Sequence, residues 1–128
     1  MITLDSNKLP AEQLAARTMT TEIAVVENIK RFNSFAEFYP YYLSEHSNST
    51  CRRLHFIGTT LVIFILALTI GRGAWMLLWV LPLAGYSFAW VGHFFFEKNR
   101  PATFQHPFYS LLGDFVMYRD MILGRVPF

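Results

Sequence analysis

The residues best suited to chemistry in this 128-residue chain are its four histidines, His46, His55, His93 and His106. Neutral imidazole is the commonest metal ligand, and nitrogen donors suit iron, zinc, copper and nickel. Four imidazoles, or three with a carboxylate, can hold one ion and leave a position open for water, oxygen or substrate. Glu45 and Glu97 are near enough in sequence to ligate or to support a ligand, and Asp114 is a candidate to orient an imidazole. Cys51 is the single cysteine, so neither an intrachain disulfide nor a cysteine cluster can form. No HExxH pair occurs, which argues against a zincin protease. Four histidines are also too few for a histidine-only di-iron cluster.

The elements that must position these residues are apolar. Hydrophobic residues make up 53% of the chain and charged residues 16%, where soluble domains average about 25% charged. The net charge of +2 and the lack of a basic run exclude a nucleic-acid partner. Residues 54–70 and 74–96 carry no Asp, Glu, Lys or Arg. Their lengths fall within the roughly 17–25 residues that cross a bilayer core. Gly71-Arg72-Gly73 between them reads as a tight turn. The expected fold is all-α: a transmembrane helical hairpin flanked by amphipathic or interfacial helices. Residues 1–20 form a polar extension without the apolar core of a signal peptide, and 21–128 a single helical membrane domain. Pro10 is expected to start a short helix through Arg17. An amphipathic helix is expected over Glu22–Ala36, with Val25, Val26, Ile29 and Phe32 on its apolar face and Pro40 breaking or kinking it. Tyr39, Tyr41 and Tyr42 resemble an interfacial aromatic belt. Pro107–Gly124 is expected as an interfacial helix whose apolar stripe comprises Phe108, Leu111, Leu112, Phe115, Tyr118 and Ile122. The competing architecture is a soluble bundle with two buried core helices.

A hairpin centred on Arg72 places His55 and His93 at nearly equal depth, about 26 and 32 Å from the turn. His46 and His106 lie beyond them on the same side. Ionisable groups at membrane depth are functional by default, which favours His55 and His93 as ligands. Alone, a histidine at a helix end is more often a hydrogen-bonding residue, and nothing in its spacing fixes His106 in a site. Arg52, Arg53, Lys98 and Arg100 flank the outer ends of the hairpin, against Arg72 at its turn. The positive-inside rule then puts both termini in the cytoplasm, and the histidines at the cytoplasmic face of a multi-pass protein.

The segments FYPYYLSEHSNSTCRRLHFIGTTL (38–61) and WVGHFFFEKNRPATFQHPFYSLLGDFVMYRDM (90–121) resemble the proteins named for metabolism of phytosphingosine to odd-numbered fatty acids. The resemblance covers roughly residues 30–125, and the elements EHSN, RRLHFIGT and GHFFFEKNRPATF are specific in combination. It implies a membrane-bound Fe(II)-dependent dioxygenase of fatty-acid α-oxidation, which uses O2 to shorten a long-chain 2-hydroxy fatty acid by one carbon. It carries His46 of EHSN, His55 of RRLHF and His93 of VGHFFFE over as iron ligands and catalytic residues. His106 of TFQHP is the further candidate ligand. The location implied is a bacterial inner membrane, or the endoplasmic reticulum in a eukaryote.

Such a substrate needs a cation for its carboxylate and an apolar bed for its tail. Arg52, Arg53 and Arg100 are candidates for the first, although basic residues beside a span also serve topology alone. Phe56, Phe88, Trp90 and Phe94 are candidates for the second, although lipid contact explains each singly. Two other functions stay open at this level: an electron-transfer membrane protein with a bis-histidine haem on His55 and His93, and a non-enzymatic membrane scaffold.

Overall fold

The computed structural model describes the backbone of residues 10–28 and 31–128, and the side chains of these except 24–28. All regular structure among the described residues is helical, as expected. The chain divides into two compact units, Met1–Phe32 and Asn33–Phe128.

In the first unit, α1 spans Ala11–Asn28. Pro10 stands at its start, its carbonyl accepting from the amides of Gln13 at 2.9 Å and Leu14 at 3.1 Å. The helix thus continues well past Arg17. The expected apolar stripe of Val25, Val26 and Ile29 lies outside the described side chains.

The second unit departs from the expected helix boundaries. The helix expected over Glu22–Ala36 is not one element, because a new one, α2 (Phe35–Ser44), starts at Ser34. The Ser34 hydroxyl accepts from the Glu37 amide at 3.2 Å, and the Glu37 carboxylate accepts from the Asn33 amide at 3.1 Å. This Ser-x-x-Glu exchange satisfies two amides at the helix start. Pro40 lies inside α2 and does not end it. Proline withholds a hydrogen bond from the Ala36 carbonyl, but Ala36 and Pro40 are both exposed, so no buried acceptor is stranded.

The hairpin follows. Helix α3 (Ser49–Arg72) is capped by Asn48, whose side chain accepts from the amides of Thr50 and Cys51 at 2.9 and 3.3 Å. It ends at Gly73, whose φ of +65° is the left-handed conformation that glycine adopts without strain. The return arm is a 3-10 turn (Trp75–Trp79), α4 (Val80–Val91) and a π-helical segment (Gly92–Glu97) that stops at Lys98. Ser49–Arg72 and Trp75–Glu97 are both long and apolar enough to cross a membrane. Their apolar windows are only 22% and 6% buried within the chain. A soluble bundle with two core helices would show the reverse. The arms approach closely because Gly58 lies against α4, where an added Cβ would stand 3.1 Å from the Phe88 Cβ.

The last helix, α5 (Pro107–Ile122), has proline in its first turn, where the missing amide costs nothing. Its burial reverses the ordinary amphipathic pattern. Phe108, Leu111, Leu112, Phe115 and Ile122 are exposed, whereas Ser110, Gly113, Met117, Asp120 and Met121 face inward. The buried core of the second unit accordingly gathers at the open end of the hairpin, around Phe38, Tyr42, Cys51, His46, His55, His93 and Met117.

Candidate metal centre

Each of three elements delivers one imidazole to that core. His46 follows the last turn of α2, His55 lies one turn after Cys51 on α3, and His93 sits in the π-helical segment. All three are buried, at 1%, 6% and 1% exposure. Their ring centroids form a triangle of 4.5, 4.5 and 5.0 Å. π-helical insertions recur at functional sites because they turn a side chain away from the regular α register.

The partners of the second ring nitrogens fix the tautomers. His46 Nδ1 lies 2.6 Å from the Tyr42 carbonyl, which can only accept, so His46 donates there. His55 Nδ1 lies 3.1 Å from the Asp114 carboxylate. His93 Nδ1 lies 2.7 Å from Asn99 Oδ1. The Asn99 amide group donates to the Glu45 carbonyl and carboxylate, both at 3.0 Å, which leaves Oδ1 as the acceptor for His93. Each ring therefore carries a proton on Nδ1 and turns Nε2 toward the other two rings. Imidazoles that bind metals are held by this kind of outer partner.

The Nε2 atoms of His46 and His55 stand 3.2 Å apart. A metal ion bound by both atoms would relieve the repulsion of two facing lone pairs at this distance. Ligands about 2.1 Å from one ion, at roughly right-angled or tetrahedral positions, are separated by roughly 3.0–3.4 Å. Burial first, and then the neighbouring His55 and His93, push the His46 imidazole well below its ordinary value, so His46 keeps its Nε2 lone pair. The donor set thus fits a metal ion. Cys51 joins it: the donor atoms of His46, Cys51, His55 and His93 all lie within 4.8 Å of one another.

A supporting layer surrounds the rings. The Tyr42 ring stacks on His46 at 4.1 Å between centroids, and its hydroxyl donates to the same Asp114 oxygen that faces His55. Burial, and then the Asp114 charge, push the Tyr42 phenol far above its ordinary value, so it remains a donor. Tyr42 is thus a buried pillar of the site, unlike the interfacial belt residue its neighbours suggested. Glu97 accepts from the amides of Ser47 at 3.1 Å and Asn48 at 2.6 Å and from the Ser47 hydroxyl, tying the His46 loop to the His93 segment.

The other residues singled out in the sequence lie elsewhere. His106 precedes α5, with its ring edge-on to Phe38 at 5.4 Å, outside the group of converging donors. Arg52 donates to the carbonyls of His46, Ser47 and Pro127 at 2.9, 2.6 and 2.9 Å, so it braces the His46 loop. Arg53 lies over the Phe128 ring, 5.3 Å from its centroid. Arg100 is exposed. Cys51, Tyr42 and Asn99 went unnoticed as site residues. The four-residue step from Cys51 to His55, which puts both on one helix face, was the one signal available for Cys51.

A groove of about 460 Å³ begins at His55 and Asp114 and continues between α3, α4 and α5 along apolar residues. Phe56, Phe88, Trp90 and Phe94 are not in its wall. Phe56 stacks on Tyr118 instead, and Trp90 and Phe94 are exposed.

No curated protein and no solved structure matches this chain. A family model does match, over residues 32–126, which takes in the hairpin, α2, α5 and every converging imidazole; the chain belongs to the 2-hydroxy-palmitic acid dioxygenase Mpo1-like family.

Proposed function

We propose that the chain is a membrane Fe(II)-dependent dioxygenase that shortens long-chain 2-hydroxy fatty acids by one carbon, with iron held by His46, His55 and His93. The observation that carries this reading is the convergence of three buried imidazoles, each with Nδ1 held by an acceptor and with the Nε2 atoms of His46 and His55 3.2 Å apart. The family name supplies the substrate class and the use of O2. Iron held by His46, His55 and His93 would supply redox chemistry toward O2 and Lewis acidity toward a hydroxyl and carboxylate pair.

The chain's own residues do the rest. Asp114 holds the His55 ring with its lone pair turned to the site, and Asn99 does the same for His93. Tyr42 keeps one Asp114 oxygen occupied and fixes the carboxylate's orientation. The groove gives an acyl tail an apolar path that begins at the imidazoles. Arg52 supports the His46 loop through its Nη1. The two apolar helices span the bilayer, which puts the site at the membrane face where an amphiphile's head resides. A bis-histidine haem is not favoured, because three ring centroids 4.5–5.0 Å apart leave no slot for a porphyrin plane.

The test is turnover by protein purified without oxygen and loaded with Fe(II). A long-chain 2-hydroxy fatty acid should yield an acid one carbon shorter once O2 is admitted, read by mass spectrometry. The non-hydroxylated acid should be a poor substrate, and zinc should not replace iron. Intact 2-hydroxy acid with folded, iron-loaded protein would remove the assignment.

A further inference from the structure

We infer that the groove beside the imidazoles is the channel for the substrate's acyl chain, and that Gly85 sets the chain length it admits. This rests on the lipid-substrate reading above. His55, Thr59, Val62 and Leu66 line the groove at steps of four, three and four residues, which is one continuous face of α3. From His55 to Leu66 that face extends about 16 Å along the helix axis. Its chemistry is graded. The imidazole of His55 and the carboxylate of Asp114 stand at one end, Thr59 follows, and beyond it α3 offers only Val62 and Leu66; Tyr86 and Thr103 are the other polar side chains of an otherwise apolar wall. An unbranched amphiphile with its head at the imidazoles matches this gradient. A ligand that is polar along its length would lose hydration there and gain few hydrogen bonds in return.

Gly85 is the position at which a side chain would narrow the groove. It lines the groove opposite Val62, about 10 Å along the axis from His55. A Cβ at Gly85 would meet only the Val62 Cγ2 atom, at 3.4 Å, an ordinary contact. A side chain therefore fits there without displacing backbone, and a larger one must occupy the channel. Glycine at this position leaves room for a tail to reach Leu66. Leucine would end the channel near Val62.

The test uses the full chain in detergent or nanodiscs, with metal content and circular dichroism confirming that each variant is intact. Equilibrium binding of a medium-chain and a long-chain 2-hydroxy fatty acid is measured for wild type, Gly85→Leu and Leu66→Trp. Each methylene kept out of an apolar site lowers affinity about fourfold. Gly85→Leu should thus weaken the long-chain acid by about tenfold or more and leave the medium-chain acid unchanged. Leu66→Trp, which blocks the deeper end, should weaken only the long-chain acid, and by less; it carries the test if Gly85→Leu does not fold. Equal losses for both acids, or none, would overturn the channel. So would an uncharged alkyl detergent that competes as well as the acids, since the groove would then be a lipid-facing surface. Chain-length discrimination in binding without turnover of any 2-hydroxy acid removes the proposed reaction and keeps the channel. Turnover whose chain preference ignores both substitutions keeps the reaction and removes the channel.

Discussion

An imidazole becomes a directed ligand when its other nitrogen is held, and the chain does this three times with three different acceptors: a helix carbonyl for His46, a carboxylate for His55 and an amide oxygen for His93. Asp114→Asn keeps an oxygen facing His55 but removes the charge. Outer partners of this kind are worth roughly 10–100-fold in metal affinity. We expect a loss in that range by competition with a calibrated chelator, with unchanged helicity; undiminished affinity would mean that His55 needs no carboxylate. A second expectation separates the histidines. Alanine at His46, His55 or His93 should abolish stoichiometric metal in elemental analysis, whereas His106→Ala should retain it. At this scale the histidines themselves were legible from their chemistry and from the depth that a hairpin imposes. Asn99 and Tyr42 were not, because an amide or a phenol becomes a supporting partner only through contacts that the folded chain makes. His106 shows the converse limit: sequence proximity to the site's face does not supply a vector toward it.

At the scale of the element, the hairpin was legible because two uncharged runs separated by Gly-Arg-Gly leave little else to build. The inward face of α5 was not. A stripe of Phe108, Leu111, Leu112 and Phe115 would turn inward in water, but here Ser110, Gly113 and Asp120 face the chain together with Met117 and Met121. The reason is Gly113: an added Cβ would stand 2.8 Å from the Tyr42 ring, so this close crossing of α2 and α5 needs glycine. Gly113→Ala should cost about 1–3 kcal/mol of stability by overpacking and displace Tyr42 from Asp114, both measurable by denaturant unfolding and metal affinity. The same crossing is pinned by Asp120, which accepts from Tyr39 at 2.8 Å and from Arg119. Burial pushes the Asp120 carboxyl up, but the hydrogen bonds from Arg119 and Tyr39 and the charges of Arg119 and Arg125 outweigh it and hold it below the ordinary value. A depressed folded value means that its stabilisation is complete above the unfolded value of about 4 and is lost as pH falls through the lower folded one. Asp120→Asn should therefore lower stability near neutral pH and flatten the acid limb of the stability profile. An acid limb as steep as that of the wild type would assign it to other carboxylates.

For the whole molecule, the position of the core decides the orientation that matters. The imidazoles, their supporting partners, the His46 loop and the start of α5 lie at the end of the hairpin opposite Gly73, and Arg52, Arg53, Lys98 and Arg100 lie at that same end. Arg72 is the one basic residue at the turn. Basic residues near the ends of a span are retained on the cytoplasmic side, so four against one leads us to propose that the imidazoles face the cytoplasm, with the turn across the bilayer. The exposed Trp75 and Trp79 beside the turn suit the opposite interface, where aromatic rings with one polar edge prefer to sit. The two ends can be read separately, because Arg72 and Lys98 are both exposed. In sealed, right-side-out vesicles a membrane-impermeant maleimide should label Arg72→Cys at once and Lys98→Cys only after permeabilisation, while buried Cys51 stays unlabelled in the folded protein. The opposite order would turn the hairpin over, and the substrate would then have to reach the imidazoles from the outer leaflet.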